Sequence, residues 1–336
     1  MAAFTEIDNP ELYFQAKAYT GNGSSSHAIT FDNTDTSMQP DLIWGKNRNN
    51  AEDNVIFDSV RGGTKRLYSN GNHVEGTNDA INSFDSNGFN LNTYSSLNYN
   101  TYTYVAWCWK ESTTAGLDII AYTGTGSVMN VSHNLSAVPG YFLIKNLDVD
   151  QAWRVFHKNM TTADPYSNRM VLSENTAQTT SALGLDADPT SSVINIDDGT
   201  GCTNDSSERF ICYAWAEKQG FSKFGTYQGN GNVDGPTIWT GMRPAYFVTK
   251  RADSSNNWAI FDNKRSPSNL ADERLRADES GAEGAVDTNE GVDLLSNGVK
   301  IRCADAELNA SGGTYIYMAF AEAPFVNSNG VPCNAR

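Results

Sequence analysis

The sequence predicts an all-β protein: three tandem antiparallel β-sandwich domains, related repeats of about 105 residues each. Three observations support this fold. A motif frame recurs three times, several segments alternate large apolar with small or polar residues, and the connections are rich in Asn, Asp, Gly, Ser and Thr. Alternation with a period of two is typical of a strand with one buried face. The 336-residue chain is therefore expected to hold three domains rather than one.

The recurring frame is fixed in spacing as well as in residue type. Each copy starts with Tyr-x-Gly-x-Gly, continues with a proline six residues before a lysine, and has a phenylalanine eleven residues after that lysine. The motifs begin at Tyr19, Tyr122 and Tyr227, the lysines are Lys46, Lys145 and Lys250, and the phenylalanines are Phe57, Phe156 and Phe261. Aromatic strands at 104–107, 212–215 and 317–320 end the copies. This frame predicts domains at 14–112, 113–220 and 221–325, between an attachment segment at 1–13 and a tail at 326–336.

Individual elements follow from the local pattern. Buried central strands are predicted at 41–44, 141–144 and 246–248, and closing strands at 99–109, 210–217 and 314–322. Asn-Gly turns at 86–89 and 296–299 predict hairpins, with 197–201 as the counterpart in the middle copy. Only 269–280 favours a helical turn. Short connectors at 111–116 and 218–221 predict separate but closely spaced domains.

Charge and composition exclude several classes of function. The formal net charge of −15 argues against binding to nucleic acid. No apolar run reaches the length of a membrane span, so no membrane insertion is expected. The N-terminal residues lack the basic and apolar regions of a secretory signal, which predicts synthesis in the cytoplasm. The five cysteines are expected to be free, mostly buried thiols, with a bridge between Cys202 and Cys212 left open.

No segment carries a recognisable catalytic set, so a non-enzymatic protein without an obligatory cofactor is expected. The Gly-x-Gly segments lack the Lys-Ser/Thr and the helix of a phosphate loop. The recurrent lysines could anchor an acidic ligand, but a structural role is favoured. Two acidic loops offer oxygen ligands for calcium, although solvated turns are the commoner use of such residues. Their carboxylates are Asp186, Asp188, Asp197 and Asp198.

Two surfaces are candidates for binding partners. The tract 90–104 combines tyrosines with amides, which suits a receptor surface for a glycan. Its candidate residues are Tyr94, Tyr99 and Tyr102. The N-terminal segment offers a hydrophobic plug for attachment, made of Phe4, Ile7, Leu12, Tyr13 and Phe14.

Several segments together resemble a family of phage virion proteins common in marine and environmental phages. The matching stretches are 4–15, 19–23, 38–44, 60–67, 220–227, 310–322 and 324–336. The resemblance spans essentially the whole chain and implies β-sandwich domains of lectin-like or jelly-roll-like type. It also implies an adhesin-like protein on the virion surface, of the tail-fibre or minor structural kind. It implies no catalytic residues. The middle copy departs most from the pattern, so its loops need not share the function of the others.

Three functions are compatible with these features. The favoured one is a tail fibre or adhesin, held by tail or baseplate proteins, that contacts a glycan or protein of the host surface. The second is a capsid decoration or head-fibre protein, which the short N-terminal segment favours. The third, from another class, is a polysaccharide depolymerase. A homotrimer is expected, because fibres commonly assemble with cyclic symmetry.

Overall fold

The computed structural model describes residues 5–32, 36–160, 165–180, 184–198, 202–285 and 291–334. Antiparallel strands make up nearly all of its regular structure, and each repeat contributes one six-stranded and one three-stranded sheet. This arrangement confirms the predicted all-β sandwich fold. The helical elements of the described ranges are α1 (Ser95–Asn98), α2 (Ala306–Asn309) and two 3-10 turns, Pro10–Leu12 and Pro165–Ser167. None of them is long and apolar enough to cross a bilayer.

Repeat 1 contains the strands β1 (Phe14–Thr20), β2 (His27–Thr30), β3 (Leu42–Asn47), β4 (Val55–Asp58), β5 (Lys65–Tyr68), β6 (Gly76–Thr77), β7 (Ile81–Asp85), β8 (Gly88–Leu91) and β9 (Thr103–Trp109). Its large sheet has the order β1-β9-β3-β4-β5-β6, and its small sheet has the order β2-β8-β7. The closing strand β9 thus pairs with the first strand on one side and with the predicted central strand on the other.

Repeats 2 and 3 reproduce this topology strand for strand. Repeat 2 contains β10 (Leu117–Thr123), β11 (Met129–Ser132), β12 (Tyr141–Asn146), β13 (Arg154–His157), β14 (Asn168–Val171), β15 (Thr179–Thr180), β16 (Leu185–Ala187), β17 (Val193–Ile196) and β18 (Arg209–Trp215). Repeat 3 contains β19 (Ser222–Gln228), β20 (Thr237–Trp239), β21 (Met242–Arg251), β22 (Trp258–Asp262), β23 (Glu273–Arg276), β24 (Gly284–Ala285), β25 (Val292–Leu295), β26 (Gly298–Ile301) and β27 (Thr314–Pro324). These strands fall within the segments predicted for the three domains.

Strand register fixes which residues of the repeats are equivalent. Trp109, Trp215 and Phe320 lie opposite the same position of the central strand, which is Leu42, Tyr141 and Tyr246 in turn. The aromatic motif that closes repeat 1 therefore lies at 106–109, two residues later than the predicted 104–107. The recurrent lysines also occupy one register position, opposite Val105, Ile211 and Ile316.

Three local predictions were wrong. The segment 269–280 contains the strand β23 instead of a helix, because it pairs with β22 along the large sheet. The closing strand of repeat 1 begins at Thr103 rather than Tyr99, because the residues before it form α1 and a turn. The middle counterpart of the Asn-Gly turns lies at 188–192, between β16 and β17, and not at 197–201.

Each large sheet is buried on both faces. One face packs on the small sheet of its own repeat, where the recurrent phenylalanines Phe57 and Phe156 belong to the cores of repeats 1 and 2. The other face enters a core shared by all three repeats, which we call the central core. There the Trp109 ring lies 6.1 Å from Trp215 and 5.6 Å from Phe320. The expectation of separate, closely spaced domains was therefore wrong, because the repeats form one body.

Candidate functional site

The Tyr-x-Gly-x-Gly motif forms a tight turn at one end of each sandwich. A Cβ atom on Gly21 would lie 2.3 Å from the Tyr99 carbonyl oxygen. A Cβ atom on Gly124 would lie 2.1 Å from the Asp205 carbonyl oxygen, and one on Gly229 would lie 2.2 Å from that of Ala310. Only a residue without a side chain fits against another backbone at this distance. The glycines are thus required by the fold, in agreement with the rejection of a phosphate loop.

A buried asparagine holds this turn in every repeat. Asn98, Asn204 and Asn309 are fully buried, and their Oδ1 atoms accept hydrogen bonds from the backbone N–H groups of Asn22, Thr125 and Asn230 at 2.9, 2.8 and 2.7 Å. The Nδ2 group of Asn309 donates to the carbonyl oxygens of Asn232 and Cys303, both at 2.7 Å. Sequence analysis missed this residue, although it recurs six residues before the first aromatic residue of each closing strand.

Replacing Asn309 by alanine should lower the free energy of unfolding by about 1–3 kcal/mol, because it removes the partner of the Asn230 N–H and of two carbonyl groups, of which that of Cys303 is buried. Urea unfolding monitored by tryptophan fluorescence measures this loss. The exposed Asn329 provides the control, since its replacement by alanine should change the free energy by less than about 0.5 kcal/mol. Equal stability of the two variants would contradict the assigned role of Asn309.

The turn presents different residues in each repeat. The N–H of Tyr102 donates to the Tyr99 carbonyl at 3.2 Å, and the same bond joins Glu208 to Asp205 and Gly313 to Ala310, at 3.3 and 2.9 Å. Between them, Thr101, Ser207 and Gly312 share a left-handed backbone, with φ of 70°, 68° and 72°. The same frame thus carries an aromatic pair in repeat 1, an acidic pair in repeat 2 and two small residues in repeat 3. We call these three ends the loop tips.

The aromatic loop tip brings together two of the three predicted receptor residues. Tyr99 is 52 % exposed, and its ring centroid lies 4.6 Å from that of Tyr102 at an angle of 37°. Tyr94 is not part of this pair. Its hydroxyl accepts a hydrogen bond from Arg66 Nη1 at 3.2 Å, and the Arg66 guanidinium also lies 4.4 Å above the Tyr68 ring. Tyr94 therefore belongs to a polar network within the fold.

The recurrent lysines join the repeats to one another. All three are fully buried. Each ammonium group donates to a backbone carbonyl of another repeat: Lys46 to Ser280 at 2.8 Å, Lys145 to Asn72 at 3.1 Å and Lys250 to Asn175 at 3.3 Å. Burial lowers the pKa of each lysine to about 8, and nearby carboxylates act against this shift. These contacts support a structural role rather than a ligand anchor.

Backbone hydrogen bonds follow the same cyclic pattern. The N–H groups of Glu75, Gln178 and Glu283 donate to the carbonyl oxygens of Leu147, Ala252 and Arg48, each at 2.9 Å. These bonds join repeat 1 to repeat 2, repeat 2 to repeat 3, and repeat 3 back to repeat 1. The three repeats therefore close into a ring around the central core. Its closing contact links parts of the chain that are more than 200 residues apart, as for Glu283 and Arg48.

Two of the three interfaces contain a buried ionic cluster. In one, Asp58 Oδ2 accepts from the Tyr213 hydroxyl of repeat 2 and from Arg61 Nε, both at 2.6 Å. In the other, Asp262 Oδ2 accepts from Trp107 Nε1 of repeat 1 at 3.0 Å and from Arg265 Nε at 2.5 Å. Each arginine also pairs with a glutamate, Arg61 with Glu75 and Arg265 with Glu283.

The third interface replaces the ionic cluster by a neutral set. Strand register places His157, Met160 and Gln178 where the other repeats have aspartate, arginine and glutamate. His157 Nδ1 accepts from the N–H of Asn159, so Nε2 carries the proton and donates to the Tyr317 carbonyl at 3.1 Å. Burial lowers the pKa of His157 to about 4, which keeps the imidazole neutral. The position of the ionic cluster is thus occupied by uncharged side chains in repeat 2.

A carboxylate cluster at the connector between repeats 1 and 2 gives a pH-dependent prediction. Burial, opposed by a hydrogen bond from the N–H of Ile119 and reinforced by Asp118 and Asp41, raises the pKa of Glu111 to about 7. A carboxyl group with a raised folded-state pKa stabilises the protein at low pH, and this stability is lost as the pH rises through 7. Glu111→Gln should therefore be more stable than the wild type at pH 8.

Urea unfolding of both proteins at pH 5 and pH 8 tests this expectation. Glutamine keeps the oxygen that accepts from Ile119, so the variant isolates the effect of the charge. The stability of the wild type relative to the variant should fall between pH 5 and pH 8. An unchanged difference would show that the Glu111 carboxyl titrates in its ordinary range.

A polar cleft of about 380 Å³ lies where both ends of the chain meet the junction of repeats 2 and 3. We call it the terminal cleft, and its lining includes Glu6, Glu217, Lys223 and Phe325. Burial acts to raise the pKa of Glu217, but hydrogen bonds from Lys158 and Lys223, at 2.5 and 2.6 Å, hold it below its ordinary value. This carboxylate is ionised and unsuited to act as a general acid.

An exposed tryptophan is the sequence neighbour of a residue that lines the terminal cleft. Trp239, at the end of β20, is 66 % exposed and precedes Thr240 in the cleft lining. Sequence analysis did not single it out, because the alternation of β20 alone does not show that its outer face is uncovered.

The structure places the predicted attachment residues differently. Ile7 and Phe14 are buried in the central core, where Phe14 stacks 5.3 Å from Phe320. Tyr13 packs against Phe221, with ring centroids 6.1 Å apart, and Leu12 is half-buried. Phe4 lies outside the described residues. Ile7 and Phe14 thus serve the packing of this chain and are not free to form a plug.

The acidic loops make local hydrogen bonds, and the cysteines are unbridged. Asp197 Oδ2 accepts from the N–H of Gly184 at 2.6 Å. In the described ranges, no three side chains of the metal-ligating types converge on one point. All five cysteines are free thiols, so Cys202 and Cys212 are not bridged.

Comparison with known proteins shows one family. The chain belongs to the family described as a domain of unknown function (DUF7483), whose model matches residues 9–324. No curated protein and no solved structure matches the chain. The family match spans all three sandwiches, so the unit shared by the family is the whole ring and not a single repeat.

Proposed function

We propose that this protein is a non-enzymatic virion surface protein, a tail fibre or adhesin that contacts a glycan of the host surface through its loop tips. The observation that carries the proposal is the common turn frame with different tips. The fold keeps the glycines and the buried asparagine in every repeat, while Tyr99 and Tyr102 appear only in repeat 1. A fixed frame with variable ends is typical of binding loops on a rigid scaffold.

The aromatic loop tip has the chemistry of a sugar site. Two adjacent tyrosine rings offer an apolar face for a pyranose ring and hydroxyl groups for its polar edge. Asn100 is exposed between them and adds an amide. Because the turn is held by buried hydrogen bonds, little conformational entropy is lost on binding, which favours affinity.

The closed ring of repeats is relevant to the expected homotrimer. The homotrimer was expected because fibres commonly assemble with cyclic symmetry, each copy burying side-chain-rich faces on its neighbours. Within one chain, the central core already joins three repeats in a cyclic arrangement. We propose that a single chain is the functional unit, held on the virion by tail or baseplate proteins after synthesis in the host cytoplasm.

A capsid decoration or head-fibre protein is the second candidate. The cyclic pattern of contacts favours it, because a body with three similar faces can sit over a threefold position of a shell. Depolymerase activity is less supported, since Glu217 in the terminal cleft is paired with two lysines. Labelling of intact particles in the electron microscope distinguishes the first two: label at the tail supports the adhesin, and label over the head supports decoration.

Binding of the labelled protein to host cells and to a glycan array tests the proposed site. The double variant Tyr99→Ala/Tyr102→Ala should lose at least about tenfold in affinity, as expected for removal of stacking residues at a binding hot spot. Its stability should remain near that of the wild type, because Tyr99 is exposed and Tyr102 half-buried. Tyr94→Phe serves as the control and should bind normally. Undiminished binding by the double variant would exclude the aromatic loop tip as the receptor site.

A further inference from the structure

Repeat 2 contains a pair of neighbouring arginines on its large sheet. Arg154 and Arg169 lie on the neighbouring strands β13 and β14, where Arg154 is opposite Val171. This register makes the two arginines diagonal neighbours on one face of the sheet. Arg154 Nη2 lies 2.6 Å from Cys202 Sγ, and that thiol donates to Gln151 Oε1 at 3.2 Å. We call Arg154 and Arg169 the arginine site, and Cys202 lies beside it.

At the equivalent position, repeat 3 has a carboxylate that balances the charge of its arginines. Register and the shared turn make Arg274 the equivalent of Arg169, Ala259 that of Arg154, and Glu307 that of Cys202. The Glu307 carboxylate pairs with Arg274 at 3.5 Å and with Arg276 at 2.8 Å. Repeat 3 therefore carries its own anion where repeat 2 has a thiol.

Repeat 1 satisfies its arginine in another way. Arg66 is the equivalent of Arg169, and its Nη1 group donates to Asn78 and to the Tyr94 hydroxyl. Val55 stands in place of the second arginine and Ser96 in place of the thiol. In repeat 2, Cys202 replaces the Glu307 carboxylate of repeat 3, and the positions equivalent to Asn78 and Tyr94 lie outside the described residues.

Among the described residues, the guanidinium groups of the arginine site lack an anionic partner. Arg169 Nε and its repeat 1 counterpart Arg66 Nε are both buried without a hydrogen-bond partner in the described ranges, but Arg66 keeps the two hydrogen bonds of its Nη1 group. Glu174 and Asp197 influence Arg169 only through longer-range electrostatics, and the repulsion of Arg154 opposes them. Half-buried charges without a partner are unfavourable, and such groups are commonly satisfied by a counter-ion or ligand.

We propose that the arginine site binds a tetrahedral oxyanion, a sulfate or phosphate group, either as the free ion or as a substituent of a larger ligand. Two guanidinium forks on one face can each donate two parallel hydrogen bonds to such a group. The bound anion takes the place that the Glu307 carboxylate holds in repeat 3. This site is separate from the aromatic loop tip and does not depend on the function proposed above.

Isothermal titration of the full chain with sodium sulfate and sodium phosphate, in sodium chloride of matched ionic strength, tests the proposal. Cys202→Glu imports the carboxylate of repeat 3 and should reduce anion affinity at least about tenfold, while it raises Tm without added sulfate. Cys202→Ser, which imports Ser96 of repeat 1, should keep the wild-type affinity. Arg169→Gln should lose affinity as Cys202→Glu does.

The variants also separate specific binding from the general stabilisation that sulfate gives to folded proteins, because that effect is common to all of them. Glucose 6-sulfate and glucose 6-phosphate distinguish the two sources of the anion. Tighter binding than the free ion indicates a ligand-borne group, and equal binding indicates the ion itself. No anion binding by the wild type, or equal binding by wild type and Cys202→Glu, would overturn the proposal.

Discussion

Replacing Asp262 by alanine should lower the free energy of unfolding by about 3–5 kcal/mol, because it leaves the Arg265 guanidinium buried without its main counter-ion. Both side chains of this pair are completely buried. Arg265 would keep only its bond to Glu283 and its backbone acceptors. The Trp107 indole of repeat 1 would lose its acceptor as well. The variant therefore weakens the contact that closes the ring.

The matched control is the double variant Asp262→Ala/Arg265→Met. Repeat 2 already has Met160 at the position of Arg265, so methionine is compatible with this site in the fold. Removing both charges should cost less than removing the aspartate alone, because no uncompensated charge remains. Glu283 keeps its partner Arg48 at 2.6 Å. Urea unfolding of the wild type, Asp262→Ala, Arg265→Met and the double variant gives the coupling energy. A double variant less stable than Asp262→Ala would contradict the ionic account of this interface.

Replacing Trp109 by alanine should cost about 3–5 kcal/mol, as is usual for a large aromatic residue removed from a core. The Trp109 ring contacts residues of all three repeats: Phe14 at 5.0 Å, Trp215 at 6.1 Å and Phe320 at 5.6 Å. The resulting cavity lies where the sheets meet. The loss should therefore lower the stability of the whole chain in a single transition, instead of unfolding repeat 1 alone.

Trp109→Phe is the control for this variant. Repeat 3 has Phe320 at the equivalent position, and Trp109 Nε1 has no acceptor among the described residues, so no hydrogen bond is lost. The cost should stay below about 1.5 kcal/mol, as for conservative exchanges in a core. Fluorescence and circular dichroism, recorded in the same urea series, measure both variants. A separate early transition in Trp109→Ala would show that repeat 1 unfolds independently.

The sequence allowed the fold of each repeat to be predicted, because the information is local. The spacing from proline through lysine to phenylalanine places β3, β12 and β21, and their apolar runs mark them as central strands. The sequence did not reveal that the repeats share the central core. A strand buried on both faces loses its alternation, and nothing local shows whether the second face packs on a partner chain or on another repeat of the same chain.

The helix expected near residues 269–280 shows how tertiary structure overrides local preference. Residues 270–276 favour a helix by composition, yet β23 gains pairing to β22 and ion pairs from Arg274 and Arg276 to Glu307. These partners are distant in sequence, and such contacts commonly outweigh intrinsic propensity. Once the equivalent positions of the repeats are known from the structure, they show that Cys202 of repeat 2 stands where repeat 3 has Glu307.

The sequence predicted the candidate site only in part, because contacts between residues distant in sequence also shape it. Tyr99 and Tyr102 were singled out by composition, and their exposure depends on a turn that the glycines indicate. Tyr94 was grouped with them because it is near in sequence, but Arg66, 28 residues away, holds it in a different network. The buried asparagine could have been found from its constant spacing to the closing strand.

The central claim is that the three repeats form one closed body, and scanning calorimetry of the full chain tests it most directly. A two-state transition of the whole ring predicts a ratio of calorimetric to van't Hoff enthalpy of about 1. The lysine and backbone contacts at all three interfaces require this cooperativity. A ratio near 3, as expected for three sandwiches that unfold independently, would contradict the account.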